Sequence, residues 1–474
     1  MTPDALSYFV CLTFLWLLAR TVRAPRARLL LFLVASYLFY ASWGLGFLAI
    51  LAASSLMNYA LGKFVRADPS ALRLWLGVIA NLALLILFKY LPPAAAIAGA
   101  GSLWNGAFVR IAMPVGISFW TFEALSYLFD VYRGEEAEPS LVEFCLYMSF
   151  WPTVLSGPVC RLPEMLPQFR AAQSPSGEDV RTGVHRIVLG LFMKCVLAQL
   201  LNSGIQNGEG VAYGFDRVAS GWGGADVWFL AIGYGFQLFF DFAGYSHIVI
   251  GSARLFGITL AENFKRPYLS TTPSIFWTRW HMSLSFWIRD YVFLPLATAR
   301  RNLAWRYFAL AASMVIFGLW HGATLPLVAW GIYHGVLLVI HRLVQNFRKR
   351  RSWSVPFAID ALLSWAVTFV AVSLGWIIFR SHDLRQVGKM FGALLVPRSY
   401  LHPIMRPDFF IITAVIVAAY FAVAVVESLE VGNLLLTPRV RRAIWLISPV
   451  CYAAAIFLII IWSKQETLFV YFQF

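Results

Sequence analysis

Residues 307–340 hold no Asp, Glu, Lys or Arg over 34 positions, and at their middle stands GLWHGATLP, Gly318 to Pro326. His321 is the titratable group of that peptide. An imidazole, with an ordinary pKa near about 6.5, can take a proton from an attacking hydroxyl and pass it to a leaving group. The plainer alternative is a structural histidine bonded to a backbone carbonyl. One helix over the whole stretch would measure about 51 Å, thicker than a bilayer. Gly322 and Pro326 therefore predict two arms of roughly 14 residues, about 21 Å each, that enter from one side and meet at His321.

A second candidate lies in TTPSIFWTRWHMSLSFWIRDY, Thr271 to Tyr291. Thr272 before Pro273 starts a helix. On it Thr278, His281, Ser285 and Arg289 form one polar stripe, opposed by Trp280, Leu284, Trp287 and Tyr291. The pattern predicts an interfacial helix with His281 facing a polar cavity, and an ordinary membrane-surface helix would read alike. Third, FQLFFDFAGYSHIVIG buries Asp241 and His247, while SFWTFEALSYLFDVYR carries Glu123. A carboxylate in such a run needs a partner, and His247, Arg254 or a histidine of another helix are the candidates for Asp241. Structural polar pairing is the alternative for both carboxylates.

Other chemistries lack their signatures. His334 and His341 share a helical face but have no carboxylate at ligand spacing, so no metal site is expected. The five cysteines show no CxxC spacing, which supports neither a disulfide framework nor zinc. No Gly-rich phosphate loop, serine nucleophile elbow or HExxH occurs. His, Tyr and Asp are left to act.

The elements that position these groups must be membrane helices. The 474 residues are 60% hydrophobic and 13% charged, where soluble chains carry about 45–50% and about 25%. With a mean hydropathy of +0.70, this is an all-α polytopic membrane protein. A soluble enzyme, a disordered chain and a nucleic-acid-binding domain are excluded. Long continuous apolar runs also argue against a β-barrel. The net charge of +15 reads as basic cytoplasmic loops. Apolar stretches lie near 4–19, 29–42, 45–62, 72–91, 111–129, 141–156, 184–203, 226–256, 307–340, 357–379, 409–426 and 443–463. They predict about 11–13 transmembrane or re-entrant helices, several too short to span alone. Arg20–Arg28, Arg342–Arg351 and Arg439–Arg442 read as cytoplasmic, which puts 464–474 outside. The segment 380–408 goes against that topology, since it should lie outside yet holds Arg380, Arg385, Lys389, Arg398 and Arg406; an interfacial amphipathic piece would account for it.

Taken together, FYASWG, SFWTFEALSYLFDVYR, FWPTVLSGPVCR, DFAGYSHIVIGSARLFGI, ENFKRPYLSTTPSIFWTRWHMSLSFWIRDY and GLWHGATLPLVAWGIYHG resemble the bacterial membrane-bound O-acyltransferases. The likeness is strongest to those that O-acetylate alginate, peptidoglycan and cellulose, and covers nearly the whole chain. It implies one integral-membrane domain, 1–474, of helices around a central tunnel in the bacterial inner membrane. It implies that His321 matches the histidine of the family's WHG motif and His281 that of its RWH motif. Asp241, Asn263, Trp280, Ser285, Arg289 and Trp320 fall along the implied tunnel. Two departures are His247 for the acid of GYSD and Glu123 for the Gln of TFQ.

The last residues, FVYFQF, resemble the F-x-Y-x-x-F tail of the carrier peptide that partners the D-alanyl-transferring relatives. By that likeness Phe469, Tyr471 and Phe474 form a carrier motif within 464–474; an aromatic interfacial anchor is the alternative. The resemblance implies acetyl-CoA as acyl donor with no bound cofactor, and a polysaccharide acceptor. Implied partners are an extracytoplasmic SGNH-type O-acetyltransferase or a polysaccharide-export complex, beside membrane lipid. Arg300, Arg301 and Arg306 would attract the phosphates of CoA. A proton-coupled transporter or flippase is the rival class, since broken hairpins and intramembrane Asp and His suit carriers too.

Overall fold

A computed structural model describes residues 2, 5–92, 112–171, 174–204, 209–218, 221–351, 356–431 and 438–462. The carrier-like motif at Phe469, Tyr471 and Phe474 lies outside the described residues. Among the described residues every regular element is a helix. In a bilayer that is what long apolar segments must do, because a helix satisfies its own backbone donors and acceptors. Among the described residues eight helices are long and apolar enough to cross a membrane, and Leu6–Thr21 and Leu446–Trp462 are shorter apolar ones.

The chain forms two compact units, residues 1–187 with 245–262 and residues 188–244 with 263–474. In the first, Leu45–Ala67 and Ala71–Leu85 are joined by a buried pair of amides: Asn58 Nδ2 donates to Asn81 Oδ1 at 3.0 Å and Asn81 Nδ2 to Asn58 Oδ1 at 2.7 Å. Reciprocal amide bonds of this kind hold helices together where no hydrophobic force can. The expected 141–156 segment is helical only over Leu141–Ser149. Pro152 cannot continue the helix. The turns that follow are bonded locally, as from Thr153 N to Phe150 O at 2.9 Å, and residues 150–160 are buried. Irregular backbone is tolerated at that depth only when protein covers it.

In the second unit the expected split of 307–340 is present, but the arms are longer. Leu303–His321 and Leu325–Arg351 have 19 and 27 residues, and each is long and apolar enough to cross alone. Arg306 and Arg342–Arg351 lie within the helices, as Arg and Lys are good helix formers whose charged ends reach back to water, while Arg300 and Arg301 precede the Asn302 cap. The picture of two short re-entrant arms is therefore replaced by a full hairpin. Segment 380–408 contains a helix, Leu384–Leu395, capped by Asp383. Arg380 is paired with Asp216 at 2.6 Å.

Candidate active site

His321 is placed by glycines. The helix that ends on it packs against Leu325–Arg351 with close backbone approach at three glycines. A Cβ on Gly331 would lie 2.6 Å from Met314 O, one on Gly335 would lie 3.0 Å from Ala311 Cα, and one on Gly318 would strike Leu327 O. Small residues at that spacing let two backbones approach closely. Gly322 and Pro326 end one helix and begin the next, so His321 sits at the corner.

At the corner the imidazole is 4% exposed and ringed by aromatics. Phe317 stacks on it with centroids 5.1 Å apart, Trp320 meets it edge-on at 4.7 Å, Phe379 at 5.0 Å and Trp330 at 5.4 Å. Trp320 also reaches a second histidine, its centroid 6.4 Å from His281. The two imidazoles thus flank one indole. His281 is fully buried and its ring stands perpendicular to Phe242 at 4.6 Å.

The expected continuous helix through His281 is not formed. Pro273–Trp277 stops, His281 adopts φ 43°, and a new helix runs from Met282 to Ile288. Arg266 and His281 are the non-glycine residues of positive φ among those described. Such a conformation persists only where the surroundings impose it. They do so through Asn263, which is fully buried. Its carbonyl accepts from Met282 N at 2.8 Å and its Oδ1 from Ser283 Oγ at 2.6 Å, while Lys265 N donates to Arg279 O at 3.0 Å. Tertiary hydrogen bonds have replaced helical ones, so the proposed polar stripe does not exist.

The remaining sequence candidates separate. Trp280 joins the aromatic wall, stacked on Phe276 at 5.5 Å and against Trp376 at 4.8 Å. Ser285 turns back to its own backbone, donating to Trp280 O at 3.0 Å. Arg289 is half exposed and paired with Asp290 at 2.6 Å. Asp241 is buried, and it pairs with Lys194 at 2.5 Å, a group not among those proposed from sequence. Lys194 lies in a wide helical turn, Phe192–Ala198, of the kind often found where helices bend around function. A lone lysine inside the apolar run 184–203 was the available signal. His334, given no role from sequence, is also buried here, 4.9 Å from Trp330 and 5.1 Å from Trp277. Among the described residues no group of three His, Cys, Asp or Glu side chains could hold a metal ion.

What this corner offers is two buried imidazoles set among aromatic rings, with Trp320 in contact with both. Such a setting suits proton transfer to and from an uncharged, weakly acidic group such as a hydroxyl.

Comparison with known proteins bears on the same residues. The family model described as MBOAT, membrane-bound O-acyltransferase family, matches residues 29–380, which include both histidines. The "Probable alginate O-acetylase AlgI" of Pseudomonas syringae pv. tomato is 36% identical over 379 residues, covering 78% of this chain and 70% of that one. The peptidoglycan O-acetyltransferase of Helicobacter pylori is 30% identical over 429 residues, covering 83% and 79%. The teichoic acid D-alanyltransferase of Bacillus subtilis is 29% identical over 276 residues, covering 56% and 68%.

Proposed function

The chain belongs to the membrane-bound O-acyltransferase family and is a multi-pass membrane acyltransferase, and on that premise we propose that it moves acetyl groups outward for O-acetylation of a cell-envelope polysaccharide or exopolysaccharide. The donor is cytoplasmic acetyl-CoA and the membrane is the bacterial inner membrane. The observation that carries this reading is the placement of His321, at a helix corner among aromatic rings, where Trp320 touches both it and His281.

A phenol with a pKa of about 10 is a weak nucleophile at neutral pH unless a base removes its proton during attack. His321 takes the phenolic proton of Tyr471. The phenolic oxygen adds to the thioester carbonyl, the carbon–sulfur bond breaks, and the thiolate of CoA receives the proton. The product is an acetyl ester of Tyr471. An aryl ester remains reactive, so a hydroxyl of a sugar or of an extracytoplasmic SGNH-type transferase takes the acetyl, and its proton returns to the phenolate. His281 lies beside Trp320, with Asn263 holding its turn in place. Arg300, Arg301 and Arg306, at the start of the His321 helix, receive the phosphates of CoA. All of 1–474 acts as one catalytic domain, with 464–474 as its carrier tail.

The test is the mass of the C-terminal peptide after incubation of purified protein with acetyl-CoA, beside His321→Ala and Tyr471→Phe. An adduct of about 42 Da, the increment of one acetyl ester, on Tyr471 and absent from both variants is expected. CoA release that needs His321 and a sugar acceptor, with no adduct, means direct transfer to the sugar and an anchoring tail. Neither signal, with a partner transferase supplied, overturns acetyl-CoA as the donor and the His321–Tyr471 scheme with it.

A further inference from the structure

The first compact unit contains a cavity of about 520 Å³ whose lining includes none of the residues named in the scheme above. It opens where helices end. Arg28 lies in the first turn of Pro25–Ala41, Ala171 is the last residue of Leu162–Ala171, and Arg254 ends Gly224–Arg254. Of the three, Gly224–Arg254 is long and apolar enough to cross a membrane, and the end of such a helix sits at the level of lipid headgroups.

Its polar side is built rather than casual. Gly257, at φ 77°, terminates the helix after Arg254, and Ile258 N returns to Ala253 O at 3.1 Å. Arg28 is 6% exposed and its Nη2 donates to Phe256 O at 2.9 Å. Gln168 holds Thr259 from both sides, accepting from its N–H at 2.8 Å and donating to its carbonyl at 3.1 Å. Arg254 pairs with Asp179 at 2.8 Å and donates to the Thr259 hydroxyl. Two arginines, Arg28 and Arg254, against one aspartate, Asp179, give the lining a net charge of +1. The rest of the wall is apolar, with Phe32, Leu146, Phe169 and Phe256. A guanidinium fork suits phosphate oxygens, and an apolar wall suits a tail.

We propose that this cavity binds the phosphate of an anionic amphiphile, with the arginine side taking the phosphate and the Phe32–Leu146 side taking the apolar part. Two sources share that chemistry, a membrane phospholipid and the phosphate-bearing acyl donor.

Full-length protein, Arg28→Gln and Ala171→Trp are reconstituted with phosphatidylglycerol for native mass spectrometry, and titrated separately with acetyl-CoA. Ala171→Trp keeps every charge and fills one edge of the cavity, so it answers even if Arg28→Gln does not fold. Retained phosphatidylglycerol falling at least about tenfold in Ala171→Trp, and in Arg28→Gln where it folds, supports a lipid phosphate. Acetyl-CoA affinity falling by that factor instead, with lipid retention unchanged, supports the donor's phosphate. The proposal is overturned if neither ligand binds the unaltered protein, if both variants bind as it does, or if Ala171→Trp is without effect.

Discussion

The two histidine corners meet the same indole, yet they are made in opposite ways. His321 is held by its own neighbours in sequence: a helix that must stop at Gly322, a partner helix that starts by Pro326, and glycines that bring the two together. His281 is held by residues far from it, through the hydrogen bonds of Asn263 and a backbone forced to φ 43°. One corner is packing and the other is hydrogen bonding under strain. In a membrane, where apolar burial gives helices little reason to associate, close packing is the larger force. The His321 corner should therefore fail abruptly and the His281 corner by degrees.

The largest effect expected is that of Gly331→Leu. A Cβ there falls 2.6 Å from Met314 O and 3.0 Å from Val315 Cα, both backbone atoms with nowhere to go. The hairpin has to part, at a cost of about 3 kcal/mol, the upper end for overpacking. Thermal unfolding in detergent should show the loss, and CoA release should vanish with the displaced His321. A variant as stable as the parent would mean that the two helices do not depend on their glycine contact.

The same contrast explains what the sequence could say. The break at His321 is legible because Gly322 and Pro326 are local signals that act wherever they stand. The arms exceed the roughly 14 residues expected because Arg306 and Arg342–Arg351 read as loop charge, although such residues extend helices readily; Arg300 and Arg301 do stay outside, before the Asn302 cap. Nothing local marks the break at His281. Met282, Ser283 and Leu284 continue a helix in any periodic reading, and only Asn263, 18–20 residues earlier, takes away the N–H that would have bonded within it. The ion pair of Asp241 shows the same limit. That a buried carboxylate needs a partner is general physics, but Lys194 is a choice made 47 residues away.

An intermediate effect is expected from Asn263→Ala. The substitution removes the acceptor of Ser283 Oγ, at 2.6 Å in a buried site, and leaves the backbone bond to Met282 in place. Losing one such buried hydrogen bond costs about 1 kcal/mol. The unfolding midpoint should fall less than in Gly331→Leu. The rate of CoA release should fall several-fold with little change in acetyl-CoA affinity, because a looser His281 disturbs the site and not the mouth. An unchanged rate at reduced stability would reduce Asn263 to a scaffold residue.

The smallest difference separates two substitutions at one position. His281→Ala and His281→Gly both remove the imidazole, and both leave space beside Phe242 and Trp320. They differ in how they bear φ 43°. Glycine adopts that conformation without a Cβ penalty, whereas alanine meets a cost of about 1 kcal/mol. The glycine variant should therefore unfold at the higher temperature, an inversion of the order found inside a helix, where glycine is the weaker residue. Were alanine the more stable, the left-handed turn at His281 would be wrong and the continuous helix would return. The pair also isolates the imidazole. If the better-folded glycine variant still fails to release CoA, the loss belongs to the ring and not to the backbone it occupies. Full activity in that variant would leave His321 as the only proton acceptor the reaction needs.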